Sequence, residues 1–144
     1  MTAFLLDVNV LIALIDPAHV HHPIARRWFR QLDGVGWASC PITQLGVLRI
    51  VGHPSYPNSP GAPAVVAGVL RQFLALPGHT FWPDSVDVFG DEVMNPDQVL
   101  RSAQLTDTYL LALAIHNGGQ LATLDRRLNS TAVRGGRDSL HQIG

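Results

Sequence analysis

A carboxylate set between two apolar runs constrains this chain more than any other feature. Ala3 to Leu6 are apolar, Asp7 follows at once, and Val8 to Ile15 are again apolar apart from Asn9. Apolar residues without alternation read as a strand buried on both faces. Phe4 to Leu6 is therefore a central strand, with Asp7 at its carboxyl end. An unpaired charge there would cost on the order of several kcal/mol, so Asp7 needs a metal, a cation or helix N–H groups. Ligands of open α/β sheets bind at the carboxyl ends of strands. Asp107 and Asp125 occupy comparable junctions far along the chain. Three carboxylates brought to one sheet edge would form a divalent-metal site.

The rest of the chain alternates short apolar runs with helical patterns. Val8 to Ile15 reads as a helix capped by Asp7 or Asn9 and broken by Pro17. A second helix runs from Pro23 to Leu32 and stops at Asp33-Gly34. Gly36 to Cys40 is a strand, Ile42 to Val51 a helix, and His53 to Gly61, with three prolines, a loop. Ala64 to Leu76 is a helix and His79 to Trp82 a strand; Asp84 to Pro96 is irregular, and Asp97 to Ser102 is a short helix. Thr106 caps a helix from Asp107 to His116 that Asn117-Gly118-Gly119 ends. Gln120 to Thr123 is a strand with Asp125 close behind, and Leu140 to Ile143 an edge strand. This order predicts one three-layer α/β/α domain over residues 1–144, with a short, mainly parallel sheet.

Composition narrows the function. The chain has 144 residues, 47% hydrophobic and 15% charged, enough for one packed core. Net charge is −1, without the broad positive field of many nucleic-acid binders. All ten basic residues are arginine; the absence of lysine excludes a P-loop and argues against a phospho-receiver, which resembles a family with lysine beside its aspartates. Cys40 alone can form neither an internal disulfide nor a cysteine metal cluster. No basic leader opens the chain, and the run Phe4 to Ile15 is too short to cross a bilayer, so a soluble cytoplasmic protein is expected, with no membrane partner.

If the first and fourth strands are neighbours, Asp7, Asp107 and Asp125 converge. Hard oxygen donors suit Mg²⁺ or Mn²⁺. An ion held by carboxylates lowers the pKa of an attacking water and stabilises charge on a scissile phosphate. The plainer readings are a helix cap for Asp7, a first-turn acid for Asp107 and a turn residue for Asp125. Thr123 can place its hydroxyl on the same edge, and Asn9 can orient Asp7 or simply cap. Arg126, Arg127, Arg134 and Arg137 lie near Asp125 and can reach phosphates or only solvent. His19, His21 and His22 lack helical ligand spacing and read as a surface loop. Trp28, Phe29, Trp37 and Trp82 read as core residues.

Four segments in series then carry a resemblance: Leu6-Asp7-Val8-Asn9-Val10-Leu11, Ile42-Thr43-Gln44-Leu45-Gly46-Val47-Leu48-Arg49, Leu105-Thr106-Asp107-Thr108-Tyr109-Leu110-Leu111-Ala112 and Leu121-Ala122-Thr123-Leu124-Asp125-Arg126-Arg127-Leu128. In order and spacing they resemble the PIN domain, and more closely the VapC-type toxins of bacterial toxin–antitoxin pairs. The resemblance implies a metal-dependent endoribonuclease that cuts structured RNA, often tRNA or ribosomal RNA, through a metal-activated water. It also implies a homodimer and an antitoxin whose C-terminal part occupies the active-site groove. Asp7, Asp107 and Asp125 would hold Mg²⁺ or Mn²⁺. One position departs. The family places a glutamate where this chain has Gln44, and the one glutamate, Glu92, lies elsewhere. Gln44 can offer a carbonyl oxygen but no charge, which predicts one tight metal and a second only with substrate phosphate. It also keeps open a catalytically weak RNA-binding or antitoxin-sequestering module. The small residues Gly46, Ala64, Ala67 and Gly68 on two apolar helices can face a second copy or the core. A phosphatase of the aspartyl-phosphate type fits less well, because it resembles an Asp-x-Asp start and this chain has Asp7-Val8-Asn9.

Overall fold

The computed structural model describes residues 3–90 and 93–144. Its strands are β1 (Phe4–Leu6), β2 (Trp37–Ser39), β3 (His79–Phe81), β4 (Gln120–Thr123) and β5 (Leu140–Gln142). They form one sheet in the order β3-β2-β1-β4-β5, and every pairing is parallel. The helices are α1 (Val8–Ile15), α2 (His22–Arg30), α3 (Pro41–Val51), α4 (Pro63–Leu74) and α5 (Leu105–His116). β1 is central, which explains why Leu5 and Leu6 are both fully buried. Their side chains leave on opposite faces and enter two separate cores. One core packs Leu5 with Tyr109 to Ala114 of α5; the other packs Leu6 with α1, α3 and α4. The expected three-layer α/β/α arrangement is therefore present, with α5 opposite the other helices.

Two crossovers set the site. The chain moves from β1 through β2 to β3 along one side of the sheet, then returns over it to place β4 against the other side of β1. Leu5 aligns with Ala38 on one flank and Leu121 on the other. β1 and β4 are thus neighbours, and the reversal of strand order falls between them, where open α/β sheets bind ligands.

Local differences have clear causes. In place of a helix at Asp97 to Ser102 there are two 3₁₀ turns, Pro96–Gln98 and Ser102–Gln104, neither with a buried residue. Val99 alone of that segment packs on the core while Leu100 is exposed, too narrow a face to stabilise a longer helix. Thr106 is not the cap of α5: the second turn runs straight into the helix, which begins at Leu105 after Gln104, leaving Asp107 in its first turn. Gly46 faces the protein's own α1, since a Cβ there would lie 2.8 Å from a methyl of Val8. Its small size serves packing within the chain. Trp37 and Trp82 are buried, and Trp28 and Phe29 pack half-buried against the core of α1 and α3. Glu92 lies outside the described residues. Among the described residues no helix is long and apolar enough to cross a membrane.

Candidate active site

Asp7 is the first residue beyond β1, and its backbone N–H donates to the Ala122 carbonyl of β4 at 3.0 Å. The pairing of the two strands therefore continues through Asp7. One carboxylate oxygen accepts the Val8 N–H at 2.7 Å and caps α1. The other accepts the Thr123 hydroxyl at 3.0 Å, with Asp7 and Thr123 both buried. The cap and site readings of Asp7 are thus compatible. Asn9 is exposed and takes no part in holding Asp7.

Thr123 does more than the sequence suggests. Its Oγ1 also accepts the Asp125 N–H at 3.0 Å, so one buried hydroxyl ties the Asp7 side chain to the Asp125 backbone. Asp125 Oδ1 accepts the Arg127 N–H at 2.9 Å, closing a turn that holds this carboxylate at the edge. Asp107 arrives from the opposite layer, in the first turn of α5.

The three acids act on one another electrostatically. Burial, the largest cause, pushes Asp107 up from 3.8 to about 6, and the charges of Asp7 and Asp125 add to it. Asp7 is also raised, first by burial, with Asp125 contributing, against the lowering effect of the Thr123 and Val8 hydrogen bonds. Among the described residues no cation offsets either shift. Among the described residues no three His, Cys, Asp or Glu side chains are gathered tightly enough to hold an ion as they stand. The acids couple through space, while Asp7 and Asp125 are each held by their own donors. Their chemistry suits a hard divalent cation: oxygen donors, uncompensated negative charge and partial burial.

Gln44 lies elsewhere in the hydrogen-bond network. Its Nε2 donates to Ser39 Oγ at 3.0 Å, and that oxygen is 2.7 Å from His79 Nε2. None of its hydrogen bonds joins it to the three acids. Gly46, two residues further along α3, packs on Val8 beside Asp7. Arg126, Arg127, Arg134 and Arg137 are exposed, and the Arg126 guanidinium donates to the Gly144 carbonyl at 2.8 Å. His116 ends α5 nine residues from Asp107, about 13 Å along the axis, and is no base for this site. His22 Nδ1 lies 2.6 Å from the Ala13 carbonyl, and His19 Nδ1 accepts the His21 N–H; the three histidines belong to the loop and helix start between α1 and α2. The Ser39–His79 pair was not foreseen, because nothing local links positions so far apart in sequence.

Comparison with known proteins bears on the family and the fold. Residues 4–134 match the model of the PIN domain. Ribonuclease VapC39 of Mycobacterium tuberculosis is 45% identical over 135 residues, covering 94% of this chain and 96% of that protein. Ribonuclease VapC44 of the same organism is 41% identical over 131 residues, covering 91% and 92%. Among solved structures, VapBC2 from Rickettsia felis, bound to a DNA fragment from its promoter, aligns with TM-score 0.59 at 13% identity, over 99% of this chain and 100% of that one. Mycobacterium tuberculosis VapC20, described as a sarcin–ricin loop cleaving toxin, aligns with TM-score 0.56 at 14% identity, over 92% and 97%. At those identities the two structures speak for the fold alone.

Proposed function

The chain belongs to the PIN-domain family and, within it, to the VapC group, and on that premise we propose that it is a metal-dependent endoribonuclease acting as the toxin of a toxin–antitoxin pair. The observation that carries the reading is the mutual charge coupling of Asp107 with Asp7 and Asp125, acids carried by α5 and by the ends of β1 and β4, with no cation among the described residues offsetting it. Asp7, Asp107 and Asp125 would hold Mg²⁺ or Mn²⁺. Such an ion would supply Lewis-acid charge for an attacking water and for the scissile phosphate. The chain's own contribution is positional. Thr123 fixes Asp7, the turn through Arg127 fixes Asp125, and the first turn of α5 brings Asp107 across. The exposed arginines beside Asp125 attract and orient the RNA backbone. Gln44 stands at the edge as a neutral group in place of an acid.

The remaining parts of the reading follow from the same membership. The substrate is a structured RNA, tRNA or ribosomal RNA. A cognate antitoxin binds the protein, and the toxin acts in the cytoplasm as a homodimer. Exposed Leu45 and Ile50 of α3, and Val65 and Val69 of α4, are available for pairing with a second copy. The test is cleavage of total RNA by the purified protein with Mg²⁺, Mn²⁺ or EDTA, beside Asp7→Asn. Discrete cuts that need metal and vanish in the variant are expected. RNA binding without cleavage in either metal would favour the sequestering module.

A further inference from the structure

Gln44 is tethered by a chain of hydrogen bonds whose direction can be worked out. Its Nε2 donates to Ser39 Oγ at 3.0 Å, and the same oxygen lies 2.7 Å from His79 Nε2. Ser39 is fully buried, so no water supplies another partner. A hydroxyl has one proton. Oγ accepts from the amide; with His79 Nε2 bare the hydroxyl proton has an acceptor, whereas a protonated Nε2 would make Oγ accept twice and leave that proton without a partner, so the bare form is the one that completes the chain. The neutral ring then carries its proton on Nδ1, the tautomer that imidazole in water favours less. The chain runs one way, from amide to hydroxyl to imidazole. It engages the NH₂ end of Gln44 and leaves the carbonyl oxygen as the free end.

We propose that Ser39 and His79 are positioning residues for Gln44, turning its amide so that the carbonyl oxygen, and not the NH₂ group, is offered at the carboxyl edge of the sheet. This rests on the reading of Gln44 as an active-site residue. The neighbourhood supports it: Gln44 lies in the first turns of α3, which only Cys40 separates from β2, and Gly46 of the same helix packs on Val8 beside Asp7. A carbonyl oxygen attracts a hard cation or the hydrogen of an ordered water, whereas NH₂ repels the first. The arrangement thus lets a neutral residue do part of an acid's work. With the proton on Nε2, His79 would donate to Ser39, Ser39 would donate to the amide carbonyl, and Gln44 would present NH₂ instead. His79 meets the Trp37 ring at 4.8 Å and Ser39, and burial alone holds its pKa below 6.5, which keeps the bare-Nε2 state available at neutral pH.

Nitrogen NMR of the full chain at pH 7.5 reads the ring directly, without RNA. The expected result is the Nδ1–H tautomer for His79, lost in Ser39→Ala. Cleavage of total RNA with Mn²⁺ should fall about tenfold in Ser39→Ala and equally in Gln44→Ala, the scale of one positioning hydrogen bond. The double variant should fall no further, because both act through one group. An Nε2–H ring in the wild type, or wild-type cleavage by Ser39→Ala, overturns the proposal. If Ser39→Ala does not fold, His79→Leu replaces it. That change leaves the Ser39 proton no acceptor but the Gln44 carbonyl, so cleavage should fall by the same factor, and unchanged cleavage again overturns the proposal. Absence of cleavage by the wild type in either metal is the separate failure of the nuclease reading.

Discussion

Asp107→Asn should make the folded protein more stable at pH 7.5 in EDTA while abolishing cleavage. The Asp107 carboxyl rises from 3.8 to about 6 on folding, through burial and then the charges of Asp7 and Asp125. At roughly 1.36 kcal/mol per pH unit, ionised Asp107 opposes folding by about 3 kcal/mol. Partial solvent exposure discounts that to about 1–2 kcal/mol, and the place in the first turn of α5 returns about 0.5 kcal/mol through the helix dipole. A net gain of about 1 kcal/mol remains for asparagine, or about 2–4 °C in Tm for a chain of this size. The sign with pH is fixed by the direction of the shift. An acid whose folded value is raised costs most above pH 6, costs less as pH falls, and costs nothing below 3.8. The advantage of the variant should therefore shrink by pH 4.5. Saturating Mn²⁺ should reverse the order, because the ion stabilises only the protein that binds it. Thermal unfolding of both proteins at pH 7.5 and 4.5, with EDTA or Mn²⁺, is the assay. A variant less stable than wild type at pH 7.5 in EDTA would refute the argument that the acids meet uncompensated.

Other consequences are as direct. Thr123→Val removes the donor to Asp7 and the acceptor for the Asp125 N–H; urea unfolding should show a loss of about 1–3 kcal/mol, and Asp7 should titrate higher still by NMR. Gly46→Ala puts a methyl 2.8 Å from Val8 Cγ2, so unfolding should show a loss of about 1–3 kcal/mol, with weaker cleavage because Val8 carries the cap of Asp7. Charge reversal at Arg127, which is exposed, should leave the unfolding free energy within about 0.5 kcal/mol of wild type and lower RNA affinity, with a shallower salt dependence in a binding titration.

Much of the fold was legible because it rests on short-range rules. Non-alternating runs mark buried parallel strands, and Pro and Gly mark the helix ends; β1, β4 and the five helices follow within a few residues. The chain departs from that reading where burial decides. Asp97 to Ser102 form no continuous helix because Val99 alone reaches the core while Leu100 is exposed, and Thr106 yields the start of α5 to a 3₁₀ turn. Asp7, Asp107 and Asp125 were visible as charges at the ends of apolar runs, where an unexplained carboxylate needs a reason.

What sequence alone determined is the inventory of acids and the elements that carry each one, since both follow from residue type and local pattern. Tertiary structure decided what they do together. Only the return crossover that sets β4 beside β1 lets Thr123 hold Asp7 and lets two acids raise the pKa of a third. Only the pairing of β2 with β3 brings His79 to Ser39 and so ties down Gln44. Hydrogen bonds and Coulomb coupling act over a few ångströms, and which distant residues come that close is fixed by strand order, which no local pattern encodes.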